Sequence, residues 1–266
     1  MEAPHATEKS PLRIIREPEI YLIGRQNLDR REIDRFLADH GVTWQTDTEV
    51  GGEALAEMAG RVCYMSYGKG RRTNREFLGH IVDVGHGSVL EHAVWSFVIT
   101  GVSRSFTHEL IRHRHFSYSQ LSQRYVDESE SPYVEPDGIA GDPELHQVWC
   151  ESVNVARAAY DRLVAGLEKH FTAVPDRTLR RKLARQAARS VLPNATETKI
   201  FVTGNARALR HFIELRGSEH ADVEIRKVAV AMLKLLQRES PSLFADYELK
   251  PLADGSHATH TEHPKV

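Results

Sequence analysis

The stretch TKIFVTGNARALRHFIELR, residues 198–216, decides the fold class. Its first six residues, Thr198 to Thr203, are rich in β-branched and aromatic side chains and read as a strand. Gly204-Asn205 interrupts that run, and Asn205 is a fitting N-cap for a helix whose buried side is Leu209, Phe212, Ile213 and Leu215. A strand that runs straight into a helix N-terminus presents backbone N–H groups to an anion.

Working outward, Ile20 to Gly24 reads as a short buried strand. A helix follows from Leu28 to His40, with Ile33, Phe36 and Leu37 on one face and Gly41 as its stop. A second helix runs from about Glu53 to Met65 through Leu55, Met58 and Val62. Thr73-Asn74-Arg75-Glu76 is a capping box for a third, with Phe77, Ile81 and Val84 as its apolar face and Gly85 at its end. Val94 to Thr100 reads as a strand. From Glu144 to Phe171, Trp149, Val153, Ala156, Tyr160, Leu163, Leu167 and Phe171 recur at alternating spacings of four and three, a core-facing helix stripe. These elements alternate without the regular βαβ rhythm of a doubly wound sheet, so the fold class is α+β, helix-rich around a small β-sheet.

The chain has 266 residues, 41% hydrophobic and 27% charged, a globular composition that excludes disorder and fibrous folds. Lys+Arg at 35 against Asp+Glu at 37 gives a net charge of -2, so bulk attraction to polyanions is excluded and any basic site is local. The two cysteines, Cys63 and Cys150, are too few for a disulfide framework, and no apolar run approaches the ~20 residues that span a bilayer. With no secretory pattern at the N-terminus, a cytoplasmic setting is expected. Residues 1–17 and 251–266 are poor in large apolar side chains and are expected as flexible tails around a single domain, 18–250.

The densest chemical signal is Arg112-His113-Arg114-His115-Phe116-Ser117-Tyr118-Ser119-Gln120-Leu121-Ser122-Gln123-Arg124-Tyr125. These fourteen residues hold three Arg, three Ser, two Tyr and a Phe, and no acid. A solvated helix interleaves Glu with its Arg. An acid-free cluster suits an anion or a planar heterocycle, because guanidinium forks bind phosphate and aromatic rings stack.

Arg177, Arg181, Arg185 and Arg189 form a second basic row, spaced by four along one helix face and flanked by Arg180 and Lys182. Like charges at that spacing repel, so carboxylates or bound anions must compensate them. Arg189, nearest Pro193, is the preferred ligand contact. The acids of Glu219 to Arg226 are expected to pair with these Arg-rich elements.

Gly85-His86-Gly87-Ser88-Val89-Leu90-Glu91-His92 is a Gly-bracketed turn between helix and strand. Its spacing is not that of a helical His-Glu-x-x-His zinc site, so no metal is expected, and Ser88 and Glu91 read as contacts to a polar cofactor. Asn205, Arg207 and His211 cluster at the positive end of their helix.

Arg112-His113-Arg114 followed after seven residues by Ser122 resembles the signature of the flavin-dependent thymidylate synthases, the ThyX family. The Gly85–His92 loop, Arg189-Ser190-Val191-Leu192-Pro193 and the Asn205–Arg216 helix resemble its other landmarks in the same order. The resemblance implies a homotetramer of α+β subunits with active sites where subunits meet. It implies a methyltransferase that makes dTMP from dUMP, with methylenetetrahydrofolate as carbon donor, FAD as hydride carrier and NADPH as reductant, and with no nucleic acid or membrane as partner.

On the same resemblance, Arg112, His113, Arg114, Ser88, Glu91, Gln120, Asn205, Arg207 and His211 are expected at FAD. Arg104, Glu109, Arg112, Gln120, Leu121, Ser122, Gln123, Arg124, Arg189 and Arg216 are expected at dUMP, with Lys182 and Tyr125 beside them. Arg216 is the expected catalytic group, stabilising negative charge at uracil N3 and its neighbouring oxygen so that C5 becomes nucleophilic.

A Cys thiolate is not expected to act. Cys63 falls in an apolar helical pattern and Cys150 follows Trp149, and neither has an electropositive setting. Ser122 has no base beside it in sequence and is assigned to hydrogen bonding. Some relatives carry Glu where this chain has Gln120, which removes a charge. The rival reading is a single-stranded nucleic-acid-binding module, because Arg with Tyr and Phe also makes a base-stacking platform.

Overall fold

The computed structural model describes residues 11–68 and 70–266. In chain order it holds β1 (Ile14–Ile15), β2 (Glu19–Arg25), α1 (Arg30–Asp39), α2 (Gly51–Tyr64), α3 (Asn74–Asp83), α4 (Gly87–Leu90) and β3 (Val94–Ser103). There follow α5 (Arg104–Leu110), β4 (Ser117–Gln120), β5 (Tyr133–Val134), α6 (Asp137–Ala140), α7 (Pro143–His170) and α8 (Arg177–Ala188), the last running into a short 3₁₀ turn, Arg189–Val191. The chain closes with β6 (Glu197–Asn205), α9 (Ala206–Arg216), α10 (Val223–Glu239), α11 (Pro241–Phe244), β7 (Tyr247–Pro251) and β8 (His257–Thr261). The mixed, helix-rich class expected from the sequence is the one observed. The small sheet has strand order β2-β3-β6-β4.

The residues divide into two compact units. The first holds residues 11–17, 100–107 and 120–199. Its frame is α7 packed along α8, and Val153, Tyr160, Ala184 and Ala188 are its buried apolar contacts. The expected stripe on α7 is only partly buried: Val153 and Tyr160 are inside, whereas Leu163 is exposed. Ile14 and Ile15, expected in a flexible tail, pair in parallel with Tyr133 and Val134. The remainder of that expected tail, residues 1–10, lies outside the described residues.

The second unit holds residues 18–68, 70–99, 108–119 and 200–266. Trp95, Phe97 and Ile99 alternate inward along β3, Ile200 and Val202 do so along β6, and Leu209, Phe212 and Ile213 of α9 complete the core with α10. Gly52 is required here, because a Cβ would lie 2.8 Å from the Trp95 ring. Leu215, expected inside, is exposed. So are alternate residues of β2, Tyr21 and Ile23, which makes β2 a one-sided strand rather than a fully buried one.

Two expectations are overturned in this unit. Helix α2 buries the side opposite to its apolar pattern: Glu53, Glu57 and Arg61 are inside, while Val62 and Cys63 are exposed. Hydrogen bonding explains it. Glu57 accepts from Trp44 Nε1 (3.1 Å), Thr46 Oγ1 (2.8 Å), Asn74 Nδ2 (2.9 Å) and Arg61 Nε (2.7 Å), so a polar network is buried beside Ala54 and Ala56, with Asn74 Oδ1 left unpartnered among the described residues.

The C-terminal segment is also folded onto the unit rather than lying outside it. β8 pairs antiparallel with β7, and Thr259 Oγ1 donates to Ile213 O at 2.8 Å at the end of α9. Gly217 leaves room for that contact, since a Cβ there would meet Thr259 Oγ1 at 2.0 Å. Of the acids after α9, Asp222 caps α10 and Glu219 approaches His220 at 3.6 Å.

Candidate functional site

The expected site residues fall into two groups, one in each unit. In the first unit, Arg104 opens α5 directly after β3, with its backbone N–H on Thr196 O at 3.1 Å and Nη1 near Leu121 O at 3.4 Å. Leu121 is anchored in turn through N–H to Lys199 O at 2.9 Å. Burial pulls the Arg104 guanidinium below its ordinary pKa; Glu128 opposes that, and the like charge of Arg189 adds to it. A cation half withdrawn from water beside another cation is a position that a bound anion relieves.

Arg189, at the C-terminal end of α8, is exposed and has no carboxylate partner among the described residues. The rest of its basic row is partly structural, as Arg185 pairs with Asp127 at 2.9 Å and Arg181 approaches Glu168 at 4.0 Å.

Gln120 Nε2 donates to Thr107 Oγ1 (3.2 Å) and Thr198 Oγ1 (3.4 Å), so the amide orientation is fixed by two hydroxyls that the sequence did not flag. The turn after it places Ser122 Oγ against Arg124 N–H at 3.4 Å, and Gln123 is buried. Arg124 Nε is buried without a partner, and its guanidinium lies 5.9 Å from the Tyr125 ring. Tyr125 is exposed, with Lys182 Nζ 4.7 Å over its ring; a hydrogen bond with that lysine lowers the phenol.

In the second unit, residues 111–116 form the turn between α5 and β4. Tyr118 Oη donates to Leu110 O (2.7 Å) and His113 O (2.8 Å), pinning that turn, a role that only long-range geometry reveals. Arg112 and Arg114 stand out from it, exposed and without a carboxylate partner among the described residues.

His113 points inward. It stacks on Phe116 (6.0 Å between ring centroids), meets Phe212 edge-on (5.1 Å) and lies 5.8 Å from His211. Burial first, then the charges of Arg216 and His211, pull its pKa down to about 4. The ring is therefore neutral at pH 7, which matches its use as an acceptor: Arg216 Nε donates to His113 Nε2 at 3.1 Å. Glu109 Oε2 accepts from Arg216 Nη1 at 2.7 Å. Both partners were expected on ligands, and here they hold Arg216.

Arg207 pairs with Glu91 at 2.6 Å and lies against Gly87, where a Cβ would come within 2.8 Å of Arg207 Nε. Ser88 is exposed on the same short turn, α4. Asn205 caps α9 by accepting from Ala208 N–H at 2.8 Å, which leaves its amide N–H₂ to a ligand. Gly204 is required by Phe116, whose ring would lie 2.5 Å from a Cβ. His86 pairs with Tyr64 Oη at 3.0 Å and stacks on its ring.

The two cysteines contact none of these groups: Cys63 is exposed on α2, and Cys150 lies beside His146 on α7. Among the described residues, no helix is long and apolar enough to cross a membrane.

Residues 46–242 match the family model described as thymidylate synthase complementing protein. The chain is 58% identical over 224 residues, 83% of its length and 89% of theirs, to flavin-dependent thymidylate synthases of Mycobacterium avium (strain 104) and Mycobacterium tuberculosis (strain ATCC 25618 / H37Rv). Its fold is similar to that of a UMP/dUMP methylase, PolB, from Streptomyces cacaoi, solved with 5-Br UMP, with a TM-score of 0.64 at 21% identity over 89% of this chain and 96% of that one.

Proposed function

The chain belongs to the flavin-dependent thymidylate synthase family, and from that premise we propose that it methylates dUMP reductively to dTMP, using methylenetetrahydrofolate, FAD and NADPH. The observation that carries the proposal is a contrast among its arginines. Arg61, Arg157, Arg210 and Arg226 each have a carboxylate within 3.0 Å. Arg104, Arg112, Arg114, Arg124 and Arg189 have no such ion pair among the described residues. Guanidinium groups drawn partly out of water and kept without counterions, as Arg104 and Arg124 are, are placed for anions from outside the chain.

The residues present fit FAD. The exposed Arg112 and Arg114 supply donors suited to a pyrophosphate, Ser88 adds a hydroxyl, the free amide of Asn205 adds another donor, and the glycine at position 87 keeps the Arg207 face open. His211 and Glu91 flank this set, and Gln120 completes the proposed cofactor contacts. Held there and reduced by NADPH, the flavin would supply the hydride for the transferred one-carbon unit.

The chain's own part is to bind and polarise the nucleotide. Arg104 and Arg189 take its phosphate. Gln120, Leu121, Ser122, Gln123 and Arg124 bind the uracil and sugar, with Tyr125 and Lys182 beside them and Arg112 and Glu109 as further contacts. Arg216, fixed by Glu109 and the neutral His113, stabilises negative charge at uracil N3 and its neighbouring oxygen, which drives electron density to C5 without a thiolate. The working form is a cytoplasmic homotetramer with active sites where subunits meet.

The test is the purified full chain with dUMP, methylenetetrahydrofolate and NADPH. A yellow protein that forms dTMP and carries tritium from labelled reductant into the product methyl group agrees with the proposal. A colourless protein with salt-sensitive affinity for single-stranded nucleic acid contradicts it.

A further inference from the structure

Helix α7 carries a group that the chemistry above does not use. Cys150 is half-buried one turn after His146, with Sγ 3.6 Å from His146 Nε2 and 4.0 Å from Nδ1. The other ring nitrogen, Nδ1, lies 2.5 Å from Glu135 Oε1, and the Glu135 side chain is fully buried and also pairs with Arg16 at 2.8 Å. A buried carboxylate that accepts from Nδ1–H fixes the tautomer and leaves Nε2, the ring nitrogen nearer the thiol, as the base. A nucleophile within reach of a base that a third group orients is the arrangement that activates thiols. Among the described residues no group of three or more such side chains is placed to hold a metal.

Burial and the charge of Glu135 hold the Cys150 thiol above its ordinary pKa, with Arg16 opposing, so it rests as a thiol. Its ionisation is therefore tied to proton transfer to Nε2. The imidazolium formed lies against the buried carboxylate, which stabilises it.

We propose that Cys150, His146 and Glu135 form a thiol–disulfide exchange site at which a low-molecular-weight disulfide becomes covalently attached to the chain. Cys150 Sγ gives its proton to His146 Nε2 and attacks one sulfur of R–S–S–R′. The S–S bond breaks, the Cys150–S–S–R bond forms, and the leaving thiolate R′–S⁻ takes the proton from His146. Cys150 is oxidised and the disulfide is reduced to one thiol, with no further reactant. None of the residues assigned to nucleotide or flavin takes part, so the site stands independently of the proposed function.

The test compares the full-length Cys63→Ser and Cys150→Ser proteins reacting with 5,5′-dithiobis(2-nitrobenzoic acid) at neutral pH. Exposure alone favours Cys63, which is the more accessible thiol. The proposal expects Cys150 to react faster by about tenfold, because base assistance outweighs access.

In the Cys63→Ser background, His146→Ala opens space around the thiol. An exposure-controlled rate rises, whereas the proposal expects a fall of about tenfold. His146→Gln, which keeps a polar group toward Glu135 but no ring base, should fall equally. Oxidised glutathione should add one glutathionyl mass at Cys150 in the parent and little in either His146 variant. Faster reaction at Cys63, or an unchanged or increased rate in the His146 variants, overturns the assignment.

Discussion

Arg210 and Arg104 are both guanidinium groups drawn out of water, and the protein treats them in opposite ways. On α9, Arg210 is fully buried and holds both oxygens of Asp246, at 2.6 and 2.7 Å, and the Leu243 carbonyl at 2.8 Å. Burial alone would lower its pKa, but the hydrogen bonds and charge of Asp246, with Tyr247, more than reverse that and hold it raised. At Arg104, burial lowers the pKa and the balance from Glu128 and Arg189 leaves it lowered. The charge of Arg210 is paired within the chain, although its Nε has no hydrogen-bond partner among the described residues, and the charge of Arg104 is left open. The difference teaches that burial alone does not set an arginine's electrostatics: a carboxylate completes Arg210 within the chain, and none among the described residues completes Arg104.

The comparison is broken most forcefully on the paired side. Arg210→Met leaves Asp246 half-buried without its cation and should lower the unfolding free energy by about 3–5 kcal/mol in urea titration. A drop under about 1 kcal/mol would mean that the pair does not organise α9.

Arg216 lies between the two kinds, with partners in place and a proposed role on the nucleotide. Arg216→Ala should reduce turnover by about 10²- to 10³-fold with flavin still bound, a loss measured by steady-state dTMP formation alongside the flavin spectrum. Near wild-type turnover would move Arg216 to the scaffold class.

His113 sharpens the contrast through pH. The unfolded chain takes up a proton near the ordinary value of 6.5, and the folded ring resists until about 4. The contribution of neutral His113 is full above the higher value and is lost as pH falls through that window. At its steepest the loss is about 1.4 kcal/mol per pH unit. Urea unfolding at a series of pH values should show a shallower slope for His113→Gln than for the parent, and equal slopes would contradict the burial argument.

The smallest effect is expected from the thiols. Cys63→Ala with Cys150→Ala should leave dTMP formation within about twofold, because no step assigned to dTMP formation uses a thiolate. Loss of activity in a folded, yellow double variant would restore one.

Much of the frame was legible because its signals are local. The Thr73 capping box closes with Glu76, Asn205 caps α9, Gly85 ends its turn at φ 72, and α7 spans the expected helix although only Val153 and Tyr160 of its stripe are buried. What escaped depends on contacts distant in sequence. The polar face of α2 is inside because Trp44, Thr46 and Asn74 come to Glu57 from separate segments, although Glu53, Glu57 and Arg61 at intervals of four were a visible hint.

The C-terminal hairpin escaped because backbone pairing and threonine hydroxyls hold it, with little apolar content to betray it. For the site, residue types were legible, and the anchoring of one residue by another was not. Glu109 Oε2 and His113 Nε2 hold Arg216 across about a hundred residues of sequence.

The most direct test of the open-arginine account is dUMP affinity measured against stability in Arg189→Ala by calorimetric titration and urea unfolding. Arg189 is exposed and lacks a carboxylate partner, so the unligated protein should keep its stability within about 0.5 kcal/mol. Loss of one charge-assisted contact should weaken dUMP binding about 10- to 100-fold. Unchanged affinity, or a stability loss that matches the affinity loss, would show that Arg189 serves the scaffold and that the account is wrong.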